Sequence, residues 1–275
     1  MANPIRVAQI VGKMNGGGVE AVVMNYYRHI DRSKVQFDFF VDADSTLVPR
    51  EEIESLGGRV FEIPPYQHVV EYQRELQRLF KQEGWKIVHS HINALSVFPL
   101  RAAKKAGVPV RIAHSHSTSG KGEYVKNALK AVLKTQSNRY PTHRFACSEF
   151  AGEWLFGDAA EFEVVYNAID LDRFRFNAEA RAQARADLGL VGVEAQVSGL
   201  PCLLSDAITR EVDVTGECKF LPIDSPAVWS DEIDSLFPYS YEGRLSISSG
   251  QFADYNIELQ GKRLTYKYLD LYSRN

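Results

Sequence analysis

Two histidine pairs with the same spacing dominate the chemistry of the sequence: His89-Ser90-His91 and His114-Ser115-His116. Together they hold four of the seven histidines. Each pair closes an apolar run of strand length, Ile87-Val88 in one case and Val110 to Ala113 in the other. Residues two apart on a strand share a face, so both imidazoles of a pair point the same way. Imidazoles so placed suit proton transfer, metal coordination or a hydrogen-bonded place in a core. A hydrolase metal site would need further ligands, for which Asp42, Asp44 or Glu149 are the available carboxylates; no cysteine cluster or HExxH motif accompanies the histidines. A second feature lies upstream, where Gly16-Gly17-Gly18 joins a strand-like run to a helical pattern. Glycine tolerates positive φ and lets backbone N–H groups crowd a ligand, and a helix N-terminus adds about half a positive charge, so such a turn suits a phosphate. It equally serves as a tight strand-to-helix connection.

The elements that position these residues follow from periodicity. Arg6 to Val11 reads as the first strand, and Val22, Val23, Met24, Tyr26, Tyr27 and Ile30 mark the helix after the glycines. Phe37–Val41 and Arg59–Ile63 give two more strands, and Tyr72, Leu76, Leu79 and Phe80 repeat at helical spacing until Gly84. Strands at Ile87–His91, Val110–His114, Arg144–Cys147 and Glu163–Tyr166 follow, with helices over Ala94–Ala106 and Glu149–Leu155. Such alternation requires right-handed crossovers and a parallel sheet covered on both faces. In that architecture ligands bind beyond the C-terminal ends of the strands. Those ends here are the glycine loop, both histidine pairs, Ser148-Glu149 and Asn167. Further on, Cys202–Leu204 and Lys219–Leu221 read as short strands. Ser225-Pro226 should open a helix that buries Val228, Trp229, Ile233 and Leu236, and Lys262–Tyr272 a final helix with Leu264, Tyr268 and Leu271 as its apolar line.

Composition narrows the class. The 275 residues are 45% hydrophobic and 24% charged, with a net charge of −3, which suits a globular protein and argues against a dedicated nucleic-acid binder. Three cysteines without CxxC spacing give neither a disulfide framework nor a structural zinc site and point to a reducing, cytoplasmic setting. No apolar run approaches the roughly 18 residues of a membrane-spanning helix. Between Lys121 and Arg144, six Lys and Arg face a single acid, Glu123, and Lys126, Lys130 and Lys134 recur every fourth residue opposite Val125, Leu129, Val132 and Leu133. This basic amphipathic pattern fits either peripheral attachment to anionic headgroups or an ordinary solvated helix face.

Taken together, the motifs resemble a known family. Gly16-Gly17-Gly18-Val19-Glu20, Met24-Asn25-Tyr26-Tyr27, Val88 to His91, Ala113 to Ser117, Ala146 to Glu149 and Val165 to Phe174 occur in the order seen in family 4 retaining glycosyltransferases of the two-Rossmann GT-B fold, in particular the capsular and exopolysaccharide branch. The most specific is Asn167-x-x-Asp170-x-x-x-Phe174, and Val193 to Cys202 is similar to the end of the family's E-x7-E nucleotide-sugar motif. The resemblance implies an α/β, GT-B-like fold. Residues 1–170 would form an N-terminal, acceptor-side, doubly wound Rossmann domain. Residues 171–275 would hold the linker and an abbreviated, Rossmann-like nucleotide-sugar domain with a returning tail helix.

By the same resemblance, Gly16, Gly17 and Gly18 would lie against the donor diphosphate, and Glu194 would hold the donor ribose through paired hydrogen bonds to its carboxylate. His116 would be the active-site histidine near the donor sugar, with His91, His114 and Asn167 on the acceptor side. The implied reaction moves a hexosyl group from a nucleotide-diphosphate sugar to a saccharide or lipid-linked acceptor, with retention and with no obligatory metal or cofactor. The implied setting is cytoplasmic, with peripheral membrane contact through Lys126, Lys130 and Lys134. One departure stands out: Ala186 occupies the place of the first glutamate, eight residues before Glu194, and the segment that normally carries the basic diphosphate clamp is missing between Leu190 and Val193. Two alternatives therefore stay open. One is a catalytically incomplete, internally deleted form that binds acceptor. The other is a dinucleotide-dependent oxidoreductase holding its ribose on Asp42 or Asp44, although Gly12 and Gly16 to Gly18 do not make G-x-G-x-x-G.

Overall fold

A computed structural model describes residues 3–116, 133–171, 192–236 and 249–275. They fall into two compact units, one of residues 1–168 with 257–275 and one of residues 169–256. Lys126, Lys130, Asp172 to Phe174 and Ala186 lie outside the described residues.

The larger unit is built on β1 (Ile5–Gly12), β2 (Val35–Asp42), β3 (Arg59–Ile63), β4 (Ile87–Ser90), β5 (Val110–Ser115), β6 (His143–Ala146) and β7 (Glu163–Val164). They form one sheet in the order β3-β2-β1-β4-β5-β6-β7, and every neighbouring pair is parallel. Every residue of β2 is buried, as expected of a strand covered on both faces. One face is covered by α1 (Gly18–His29) and by the tail helix that closes the chain at Ile257–Ser273; Val7, Tyr27, Phe37, Phe39 and Tyr268 meet there. The other face packs Phe40, Tyr72, Phe80, Trp85 and Leu100 beneath α3 (Val69–Glu83), α4 (Val97–Ala106) and α5 (Glu149–Phe156). A short helix that periodicity does not mark, α2 (Arg50–Ser55), buries only Ile53. Gly84 ends α3 at φ 71, the left-handed conformation a helix C-cap favours in glycine.

The smaller unit contains α6 (Gly192–Val197), β8 (Leu203–Ser205), β9 (Lys219–Leu221) and α7 (Pro226–Ser235), with β8 and β9 paired in parallel. Here the structure corrects the sequence reading. Ser225 precedes α7 without a side-chain cap, and Val228 and Ile233, expected on a buried side, are 38% and 44% exposed. Trp229 is half-buried and donates its indole N–H to the Pro222 carbonyl at 2.8 Å. An apolar stripe is buried only where another layer covers it. The two described strands offer α7 little to lie on.

The tail helix, α8 (Ile257–Ser273), belongs by its packing to the larger unit. Its buried line of Ile257, Leu264, Tyr268 and Leu271 faces the sheet. Gly261 lets it approach α1, since a Cβ there would stand 2.7 Å from the His29 carbonyl oxygen.

Candidate functional site

In a sheet of this order the chain reverses its direction of winding between β1 and β4, and the crevice beyond their C-terminal ends is where ligands bind in doubly wound folds. A cleft of about 300 Å³ opens at that place. Its walls include Lys13 after β1, Gly18 and Glu20 on the first turn of α1, His91 and Asn93 after β4, and Trp154 on α5. Lys13 pairs with Asp44 at 2.6 Å, and Lys134 lies 5.1 Å above the Trp154 ring. The one lysine of the basic pattern among the described residues is therefore half-buried against an aromatic wall.

The glycine loop departs from the simple cradle its composition predicts. Glu20 turns back and accepts from the N–H groups of Asn15, Gly16 and Gly17 at 2.9, 2.6 and 2.9 Å. A nest of backbone donors favours an anion, and the chain supplies its own. The donors left for a ligand are the N–H groups of Gly18, Val19 and Glu20, which as the first turn of α1 have no intrahelical partner. Gly16 is held at φ +87, whereas a Cβ on Gly18 would meet nothing within 4 Å. The two glycines thus do different work: the first makes the turn, and the second leaves space.

The four histidines form a buried stack on the face covered by α8. The His89 and His91 ring centroids are 4.1 Å apart, and those of His114 and His116 are 3.9 Å apart. Both pairs share a face, as their spacing predicts. His89 Nε2 meets His114 Nδ1 at 3.0 Å, and His91 Nδ1 meets His116 Nε2 at 2.8 Å. Burial pushes His89, His91 and His114 well below the usual histidine range, with further lowering from neighbouring histidines. Burial likewise pushes His116 down to about 4, partly offset by its interaction with the side chain of Asn167, which is itself exposed. All four rings are neutral at pH 7. Asn93, at φ 50, accepts the His116 backbone N–H at 2.7 Å and so fixes the end of β5.

Neutral, clustered imidazoles are also what a metal needs, and one ligand atom from each of His89, His91 and His114 lies within 4.8 Å of the others. Five of the six nitrogens in these three rings are, however, already hydrogen-bonded, to His114, His116, Tyr268, Gln9 or His89. Among the described residues, only His114 Nε2 of these has no partner. The arrangement is that of a hydrogen-bonded network.

Two residues that motif reading passes over complete it. Gln9 on β1 accepts from His91 Nε2 at 2.8 Å and donates to Tyr268 Oη at 3.0 Å; Tyr268 on α8 meets His89 Nδ1 at 2.6 Å. The signal for Gln9 was present, since it is a polar residue between Val7 and Val11 on an inward-facing line of β1. Two of the carboxylates invoked for other chemistries, Asp42 and Asp44, are poorly placed for a ribose. Asp42 is only 1% exposed, too deep to hold a ribose, and Asp44 is engaged by Lys13. Glu194 lies in the first turn of α6, in the smaller unit.

Comparison with known proteins now bears on this geometry. Residues 17–168, which run from the glycine loop through the last strand of the sheet, match the family described as glycosyl transferase 4-like domain. The chain belongs to this family. It is 39% identical over 194 residues to the putative glycosyltransferase EpsF of Bacillus subtilis, an alignment covering 67% of this chain and 50% of that protein. The chain thus spans about half the length of the curated relative it matches. Among solved structures it resembles Anabaena Alr3699/HepE in complex with UDP, with a TM-score of 0.65 at 12% identity over 98% of this chain and 97% of that one. The lipopolysaccharide outer core galactosyltransferase WaaB aligns with a TM-score of 0.64 at 13% identity, over 98% and 100%. A UDP-GlcNAc 2-epimerase from Methanocaldococcus jannaschii shares the fold too, with a TM-score of 0.59 at 10% identity over 97% and 100%. Likeness at such identity establishes the GT-B, Rossmann-like fold. Apart from Val11 and Lys13, the matched family segment contains the residues that line the cleft.

Proposed function

We propose that this glycosyl transferase 4-like chain transfers a hexosyl group, with retention, from a nucleotide-diphosphate sugar to a saccharide or lipid-linked acceptor in surface polysaccharide assembly. The observation that carries this reading is the cleft itself. It joins the free N–H groups at the start of α1, suited to a diphosphate, to His91 and the neutral histidine stack behind it, suited to sugar hydroxyls. Catalysis here would rest on positioning and on stabilising the departing diphosphate, for which Lys13 and the helix end supply positive charge. Residues 1–170 would serve the acceptor side and residues 171–275 the nucleotide side, with Glu194 on the ribose. His116 would stand near the donor sugar, and His114 and Asn167 towards the acceptor. The chemistry asks for no metal or cofactor. EpsF, whose name carries the putative transferase assignment, and HepE, solved with UDP, support the donor class.

Among the described residues no helix is long and apolar enough to cross a membrane. We place the protein in the cytoplasm, with peripheral attachment through the lysine-rich segment around Lys126, Lys130 and Lys134.

A second reading is favoured by the smaller unit, in whose described residues the one sheet is the two-stranded β8-β9. On that reading the chain binds acceptor but lacks a working donor half. Calorimetric titration with UDP, UDP-glucose, GDP and GDP-mannose decides. Nucleotide binding weakened tenfold or more by Glu194→Ala supports the transferase. A folded protein that binds none of the four is the acceptor-binding form.

A further inference from the structure

Gln9 and Tyr268 link the four histidines into one chain of hydrogen bonds: His114, His89, Tyr268, Gln9, His91, His116. The successive separations are 3.0, 2.6, 3.0, 2.8 and 2.8 Å. All six side chains are at most 9% exposed. The two terminal nitrogens, His114 Nε2 and His116 Nδ1, make no well-formed hydrogen bond among the described residues, although the Asn167 amide stands near His116.

A neutral imidazole carries one N–H and one lone pair, so along such a chain each ring fixes the proton position of the next. Gln9 Nε2 donates to Tyr268, which leaves the tyrosine hydrogen a single acceptor, His89 Nδ1. His89 therefore carries its proton on Nε2 and donates to His114 Nδ1, and His114 ends the branch as an Nε2–H donor. On the other side, Gln9 Oε1 must receive the N–H of His91 Nε2. His91 Nδ1 then accepts from His116 Nε2–H, which leaves His116 Nδ1 as a bare lone pair. Turning the amide over would reverse every bond and move all four protons to Nδ1. In either state the two branch ends have opposite character, because one amide group offers one donor face and one acceptor face.

We propose that Gln9 and Tyr268 are positioning residues that lock the four buried histidines in one tautomer, so that the chain of bonds ends in an N–H donor at His114 Nε2 and a lone pair at His116 Nδ1. The lock does not depend on the transferase reading above.

Long-range nitrogen–proton NMR correlation on the full chain with ¹⁵N-labelled histidine distinguishes protonated from bare ring nitrogens at pH 7. The expected result is that His89, His91, His114 and His116 are all neutral and all protonated on Nε2. Mixed tautomers, a charged ring or rapid exchange in any of the four would overturn the lock. Gln9→Glu sharpens the test, since a carboxylate accepts from both sides. His91 and His116 should keep Nε2–H while His89 and His114 switch to Nδ1–H. Should that buried acid prevent folding, Tyr268→Phe is the second variant. It should release His89 and His114 into tautomer exchange and leave His91 and His116 fixed. Unchanged spectra in a folded variant would refute the roles of Gln9 and Tyr268. Absence of any sugar transfer with the wild-type tautomers as expected would refute the transferase reading alone.

Discussion

Asp42 ends β2 at 1% exposure, and neither carboxylate oxygen makes a well-formed hydrogen bond among the described residues. Burial first, and then the Asp44 carboxylate, raise it to about 6; the Tyr66 amide and Lys13 offset only part of this. A carboxyl raised in the folded state binds its proton more tightly there than in the unfolded chain. Its ionisation therefore costs stability as pH rises from about 4 to 6, and the full cost persists above 6. Asp42→Asn should stabilise the protein by ~1–3 kcal/mol at pH 7.5 and by nothing at pH 4, read from urea midpoints at the two values. An equal shift at both would mean that charge is not the cause. Glu20 presents the opposite case, an anion that the fold uses. Glu20→Ala removes three hydrogen bonds to loop amides and should cost ~1–3 kcal/mol in the same assay. It should also open a nest that inorganic phosphate can enter, so that added phosphate recovers stability in the variant and not in the wild type.

At the scale of elements, the strand–helix alternation was legible because a parallel sheet needs continuous apolar strands and amphipathic crossovers, and both leave periodic marks. The histidine pairs were legible for the same reason, since period two puts both rings on one face. What escaped were partners set by tertiary approach. Tyr268 read as one more residue on an apolar line, and no local pattern announces that its hydroxyl reaches His89 across 179 positions of sequence. Glu20 stood only as the last residue of the glycine-loop motif, although its side chain folds back into the loop. The stripe on α7 misled because an apolar pattern states what a helix can bury, and the described part of the smaller unit does not bury it. The approach of α8 to α1 is testable. Gly261→Ala puts a methyl 2.7 Å from a backbone carbonyl, which cannot rotate away, so the helices must part. A loss of ~1–3 kcal/mol is expected, together with weakened protection of the Tyr268–His89 contact, seen as a changed His89 tautomer signal. Gly18→Ala is its counterpart. Space is open there, so stability should hold within ~0.5 kcal/mol while UDP affinity falls at least tenfold in calorimetry, because the methyl occupies the cleft.

For the whole molecule, the decisive electrostatic fact is that four histidines are buried neutral in one network. Each has its proton affinity lowered on folding, so the unfolded chain takes up protons that the native state refuses. Their stabilising contribution is complete above the unfolded value of about 6.5 and is lost as pH falls through and below it. Asp42 works in the reverse sense between about pH 4 and 6, but as one group against four. Near pH 5.5 the imbalance is about three protons, which corresponds to a slope of ~4 kcal/mol per pH unit. A domain of ordinary stability, about 5–15 kcal/mol, cannot sustain such a slope for more than a few pH units. The larger unit should therefore be flat in stability from pH 7 to 8 and unfold cooperatively well above pH 4. Fluorescence of Trp85, buried beside Phe40 and Phe80, follows that unit in urea titrations across pH 4.5–8. A proton uptake of two or more per molecule on unfolding at pH 5.5 is the expected outcome. An uptake near zero would mean that the rings are hydrated or already charged in the native protein, and the neutral network, with the tautomer lock built on it, would fall together.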